Sequence, residues 1–337
     1  MRAAVLVEPG SFELQDIAEP VRAGPGQALV RIRRVGVCGT DVHAFRGSQP
    51  FLSYPRILGH ELAVEVLEVG LEANGVASGD LAAVRPALGC GACDACQRGI
   101  ENACARLTVL GAHIDGGMRE RLLLPVSALH VSTALSLDEL ALVEPLSIGG
   151  HAVIRGSPRE SDRILVIGAG PIGLAVSAHL LALGERPWVA DIDAERRAFA
   201  SAWTGLDVFE PGDDAVDAVR EAMGGELATL IFDATGSSAS MHAAFDLLAP
   251  GGRLVLVGLF QGDLTFHDPE FHRRELTVLA SRNATAVDVG RSIGLIESGR
   301  ADVTAWITHR TTLDDVVEVF PVWERPGSGV LKAIIEA

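Results

Sequence analysis

Apolar positions along this chain follow two rhythms. Residues 28–33 read Ala-Leu-Val-Arg-Ile-Arg, an alternation that suits a strand with one covered face. From residue 164 onward the apolar residues come in short runs, at 164–167, 188–191, 207–209, 230–233, 254–257 and 276–279. Helix-like stretches separate most of them. Short apolar runs suit strands covered on both faces. Six such strands alternating with helices predict a doubly wound parallel sheet, an α/β fold of the Rossmann kind.

The first run opens a turn that can carry chemistry. In RILVIGAGPIGLAVSAHLLALG, Gly168, Gly170 and Gly173 follow the strand and precede an amphipathic helix. The first glycine allows the tight turn, the second lets a pyrophosphate approach the backbone, and the third lets helix and strand pack closely. Pro171 suits the first helical turn, and Ile172 stands beside it in the same candidate cofactor-binding turn. The free N–H groups of that turn then meet phosphate oxygens. The next strand ends in Asp191, 18 residues after Gly173. An acid there accepts hydrogen bonds from ribose hydroxyls and repels a 2′-phosphate, which favours NAD over NADP. Asp191 could instead cap a helix, and Arg196 and Arg197 could serve a phosphate. Thr235 and Gly236 in DATG, and Gly258 in VLVGLF, stand at strand ends where ligands bind in such sheets.

Composition narrows the class. A chain of 337 residues exceeds one ordinary core, so two domains are expected. With 48% hydrophobic residues and 37 glycines it suits a globular α/β enzyme. The net charge of −16 disfavours nucleic acid and anionic membrane as partners and points to a small-molecule substrate. No apolar run reaches the roughly 18 residues of a membrane span, and the N-terminus lacks a signal-peptide pattern, so a cytoplasmic location is expected.

Four of the five cysteines are crowded together. Cys90, Cys93, Cys96 and Cys104 follow C-x2-C-x2-C-x7-C. Thiolates this close can converge on one tetrahedral zinc, and surrounding glycines free the backbone to wrap it. Disulfides fit less well, because neighbours two residues apart make strained bridges and cytosol is reducing. A closed four-thiolate shell leaves substrate no position, so the expected role is structural. Chemistry is then sought at Cys38, at His60 and Glu61 in LGHE, and at Glu144 in VEPLSIGGHA. These are ligand types for an open zinc site, although spacing alone does not join residues so far apart.

Taken together, GVCGTDVH, GHE, CGACDACQRGIENAC, DGG at 115–117, VEPLSIGGHAV, VIGAGPIG and FDATG resemble the zinc-dependent medium-chain alcohol dehydrogenases over essentially the full length. The resemblance implies a discontinuous GroES-like β-barrel catalytic domain, residues 1–150 and 280–337, with a structural zinc lobe at 88–106. A Rossmann NAD domain lies between, at 151–279. It implies Cys38, His60 and either Glu61 or Glu144 as catalytic zinc ligands, as in the polyol and threonine dehydrogenase branch. Thr40 and His43 are implied as the proton relay. Members usually read GHE-x-x-G, but Val64 takes the glycine place here, which puts local packing in question.

The segments at 266–285 and 45–61 are similar to bacterial sugar-acid dehydrogenases that oxidise L-galactonate or L-gulonate at C5. Polyol and L-threonine dehydrogenases are the alternatives within the enzymes, and a non-catalytic zinc and dinucleotide sensor is the alternative outside them. His272, Arg273, Arg274 and Arg282 offer carboxylate partners, with Arg282 favoured. Relatives are dimers or tetramers, and 254–257 or 276–279 could be the edge that extends a sheet between subunits.

Overall fold

A computed structural model describes residues 1–337 apart from 74, 213 and 326. The chain divides into two units, Met1–Glu144 with Ala284–Ala337, and Pro145–Asn283. These limits compare with 150 and 280 from the sequence.

The first unit is built from antiparallel strands. β1 (Arg2–Glu8) and β2 (Ser11–Asp16) form a hairpin. β3 (Gln27–Val37) is the long strand anticipated at 28–33, and it leads into the short helix α1 (Gly39–Phe45). β4 (Arg56–Ile57) pairs with β1. β5 (Glu61–Val69) runs antiparallel to β3 and sets Glu61 opposite Gly36. β6 (Leu81–Val84) extends this sheet, while β7 (Ala87–Leu88) and β8 (Thr108–Val109) pair on either side of the cysteine lobe and its helical turn α2 (Asp94–Gln97). β9 (Arg121–Pro125) pairs with the first half of β3, and β10 (Leu129–Val131) with β6. Ile32, Val35, Leu62 and Val64 are fully buried within these strands. Val64 therefore fills the core at the place where members usually carry glycine.

Helix α3 (Leu137–Gly156) contains the division between Glu144 and Pro145. The second unit holds six parallel strands among the described residues. They are β11 (Ile164–Ile167), β12 (Trp188–Ala190), β13 (Val208–Phe209), β14 (Ala228–Asp233), β15 (Leu248–Leu256) and β16 (Thr277–Ala280). Their spatial order is β13-β12-β11-β14-β15-β16. The order reverses between β11 and β14, the switch point at which such sheets bind ligands. All four residues of β11 are buried, as a strand covered on both faces requires. One expectation is corrected: residues 254–257 do not form an edge. β15 is hydrogen-bonded to β14 on one side and β16 on the other, which uses both rows of its backbone groups, so β13 and β16 are the edges.

The chain then returns to the first unit. β17 (Ile307–Thr312) runs parallel to β18 (Lys332–Glu336), which pairs with the second half of β3. β3 is thereby flanked by β5 and β18 around Gly36.

Candidate functional site

Cys38 ends the loop between β3 and α1, and His60 and Glu61 sit at the start of β5. Asp41 joins these segments. Its Oδ2 accepts the Cys38 backbone N–H at 2.9 Å and its Oδ1 accepts that of Gly59 at 3.2 Å. Two otherwise orphaned donors are satisfied by one buried carboxylate. Cys38 and His60 are brought side by side as a result. One ligand atom each from Cys38, His60 and Glu61 lies within 4.8 Å of the others, close enough to share one metal ion. Burial works against charging His60, yet Asp41, Cys38 and Glu144 push its imidazole well above the usual histidine range. That field favours a cation at the imidazole, a condition that a divalent ion meets. Asp41 Oδ1 stands 3.7 Å from His60 Nδ1 and can orient the ring. The sequence reading missed Asp41; its signal was an acid three residues after a residue that opens a helix.

Lys332 was missed as well. Its Nζ donates to both Glu61 carboxylate oxygens at 2.7 Å and to the Val37 carbonyl at 3.0 Å. Gly36 makes this meeting across β3 possible, since a Cβ there would lie 2.1 Å from Glu61 Oε2. Glu144 lies outside the tight group but feels it. Burial pushes its carboxyl up to about 7, opposed by His60 and assisted by Glu61. Thr40 Oγ1 lies 3.8 Å from Cys38 Sγ. His43 Nδ1 is 3.2 Å from Ser48 Oγ, and partial burial with the Arg46 guanidinium holds its imidazole below the usual range.

The four lobe cysteines also converge, with Sγ atoms of Cys93 3.5 Å from Cys96 and 3.6 Å from Cys104. Alone, such thiols cannot all ionise. Hydrogen bonds from the Ala92 N–H and Arg106 pull Cys90 down to about 5, while burial and neighbouring thiols push Cys96 up to about 12. A divalent ion would let all four lose their protons together. Arg106 Nη2 donates to Cys90 Sγ and its backbone N–H to Cys104 Sγ, both at 3.3 Å. The donor set fits a closed zinc site.

In the second unit the three glycines occupy three different environments. Gly168 has φ +101°, a conformation suited to glycine. A Cβ on Gly173 would lie 1.7 Å from the Gly168 carbonyl oxygen. At Gly170 it would meet only Arg196 Nη1, at 3.8 Å, so this backbone is open to a ligand. Pro171 and Ile172 begin helix α4 (Pro171–Ala182). Asp191 is buried, and its carboxylate accepts from Ala169 N at 2.6 Å and Asp193 N at 2.8 Å. It ties the turn to the end of β12. Capping of the following helix falls to Asp193, which accepts from Glu195 and Arg196 N–H groups. Arg197 is held by the Asp191 carbonyl and Glu210. Thr235 Oγ1 donates to Asp233 at 2.6 Å, and Gly258 packs so closely on Gly236 that a Cβ would lie 2.3 Å from its nitrogen. Arg282 is exposed just beyond β16, whereas Arg273 pairs with Glu270 and Arg274 donates to the Leu248 carbonyl.

Residues 24–133 match the alcohol dehydrogenase GroES-like domain and residues 171–298 the zinc-binding dehydrogenase domain. The chain belongs to the zinc-binding alcohol dehydrogenase family, an oxidoreductase family. It is 39% identical to the L-galactonate-5-dehydrogenase of Escherichia coli K12 over 298 residues, 88% of each chain. It is 31% identical to the L-idonate 5-dehydrogenase of Vitis vinifera over 328 residues, 91% of this chain and 87% of the other. Among solved structures, the alcohol dehydrogenase RspB of E. coli CFT073, complexed with NADH, superposes with a TM-score of 0.91 at 28% identity, covering 100% of this chain and 99% of that one. Among the described residues no helix is long and apolar enough to cross a membrane.

Proposed function

We propose that the protein oxidises a secondary alcohol of a sugar acid to the corresponding keto acid, using zinc and NAD. The grouping of Cys38, His60 and Glu61 beside Glu144 carries this reading. The likeness to L-galactonate-5-dehydrogenase and L-idonate 5-dehydrogenase supports the substrate class. Cys38 and His60 would hold a catalytic zinc with a glutamate, and the four lobe cysteines a structural one. When bound, zinc supplies Lewis-acid polarisation of the substrate oxygen and NAD accepts hydride.

The chain's own residues then have defined tasks. Asp41 fixes His60 and the Cys38 loop. Thr40 takes the hydroxyl proton and His43, exposed and neutral near pH 7, passes it to solvent. The open backbone at Gly170 receives the pyrophosphate, while Asp191 binds the ribose and disfavours a 2′-phosphate. Gly168, Gly173, Pro171, Ile172, Thr235 and Gly258 shape that site, and Arg196 faces the phosphates. Arg282 pairs with the substrate carboxylate.

The test is NADH absorbance with L-galactonate, L-gulonate, L-idonate, their uncharged alditols and L-threonine, each with NAD and NADP. We expect kcat/KM for an aldonate to exceed that of its alditol by about tenfold or more, the worth of one charge-assisted contact. Equal values for acid and alditol would instead favour a polyol dehydrogenase. Silence across the panel would favour a non-catalytic role.

A further inference from the structure

We propose that Ser48 is a positioning residue for His43: its hydroxyl fixes the imidazole in the Nδ1–H form and so leaves Nε2 as the nitrogen that takes the relayed proton. The proposal rests on the reading of His43 as the last member of a proton relay. The contact follows from the way α1 stops. Arg46 caps the helix, and Gly47 follows in the left-handed conformation with φ +75°. The Gly47 N–H donates to the Ala44 carbonyl at 3.0 Å and the Ser48 N–H to the His43 carbonyl at 2.8 Å. These two bonds make a glycine-closed helix end, in which the second residue after the cap lies over the third residue from the helix end. That pair is commonly apolar. Here it is a serine and a histidine.

His43 Nδ1 lies 3.2 Å from Ser48 Oγ, and Ser48 Oγ donates to the His43 carbonyl at 3.2 Å. A hydroxyl has a single proton. With that proton on the carbonyl, Oγ meets the ring as an acceptor, so Nδ1 carries the hydrogen and Nε2 the lone pair. This direction suits the task. The ring takes one proton at Nε2, becomes imidazolium and gives that proton to water, while the bond from Nδ1–H to Oγ persists throughout. In the other tautomer the proton would have to arrive at Nδ1, where the serine stands. Among the described residues no other side chain hydrogen-bonds the ring. Its charged neighbour is Arg46 on the same turn, which together with partial burial holds the imidazole below the usual range. Glu324, just beyond the helix Val316–Trp323, accepts from Arg46 Nε at 2.8 Å and anchors that guanidinium.

The experiment uses zinc-loaded enzyme with isotope-labelled histidine, whose ring-nitrogen NMR signals report the tautomer above the pH at which His43 titrates. The spectrum of His43→Gln identifies the His43 signals. In wild type, Nε2 should be the unprotonated nitrogen. In Ser48→Ala the Nε2–H form should gain population and kcat/KM should fall roughly fivefold, the worth of one ordinary hydrogen bond, with a melting temperature close to wild type. Ser48→Thr keeps the hydroxyl and should restore both the tautomer and the rate. A wild-type ring protonated at Nε2, or a tautomer unmoved in Ser48→Ala, overturns the proposal. So does a loss of activity in Ser48→Ala that Ser48→Thr leaves unrepaired, since the shape of the turn alone would then matter. His43→Gln with wild-type kcat/KM would overturn the relay reading and this proposal together, whereas the tautomer results overturn the positioning alone.

Discussion

The cysteine lobe and the Cys38 group gather ligands in opposite ways. Cys90, Cys93, Cys96 and Cys104 come from one local segment between the short paired strands β7 and β8. Cys38, His60 and Glu61 come from two segments, and Lys332 from a third near the C-terminus. In the lobe the spacing does the work, since a flexible loop can wrap an ion. In the other group, backbone register and one buried carboxylate place the ligands before any ion arrives. The lobe offers four sulfurs and closes on its metal. The other offers mixed donors, one of which, Glu61, also accepts from Lys332. Local assembly gathers like donors from one loop, and tertiary assembly gathers mixed donors from separate strands.

That contrast is testable by swapping consequences. Cys38→Ser should lower kcat by roughly 10³-fold or more while lowering the melting temperature less than loss of the lobe metal does, because the buried strands around Cys38 remain packed. Cys104→Ser should do the reverse at first, lowering thermal stability and zinc content through a buried lobe thiol. Calorimetry and metal analysis on both variants decide the matter; equal losses of activity and stability in the two would erase the distinction.

The next effect concerns pH. In the metal-free protein, burial raises Glu144 to about 7, and its neighbours raise His60. A raised carboxyl stabilises the protonated fold below its unfolded value and loses that contribution as pH rises through the folded one. A raised histidine contributes below its unfolded value and loses the contribution as pH rises through its folded value. Both signs make the metal-free protein less stable with rising pH. Metal replaces those protons, so the stability gap between loaded and metal-free enzyme should widen from pH 5 to 8, by up to about 3 kcal/mol from Glu144. Denaturant titrations at both pH values measure it, and Glu144→Gln should remove the Glu144 share of the widening and leave that of His60.

Asp41→Asn tests pre-assembly. It keeps the size of the side chain but weakens the acceptors for Cys38 N, Gly59 N and the His60 ring. Metal affinity at the Cys38 site should fall roughly 10–100-fold while the lobe keeps its zinc. The smallest effect belongs to Arg106→Ala. Removing the guanidinium from Cys90 should speed zinc release from the lobe by only a few-fold, since the contact is solvent-screened. A change in the Cys38 site from this variant would show that the two centres are coupled.

The glycine turn, Asp191 and the cysteine lobe were legible because each depends on residues near in sequence or on a strand–turn–helix context that local patterning reveals. Asp41 and Lys332 were not, because a buried acid or amine shows its purpose only against partners from other strands. The misplaced edge at 254–257 has a similar cause: an apolar run shows that a strand is covered, but not which neighbours flank it.

By itself, then, the sequence determined the elements, their two rhythms, the four-thiolate lobe and the residues from which an open metal site could be drawn. The tertiary structure decided which of them meet. Strand register put Glu61 across from Gly36 and brought Lys332 alongside, while Asp41 closed the distance between Cys38 and His60. Side-chain periodicity is a local property of the backbone, whereas the pairing of buried charges depends on which distant strands become neighbours.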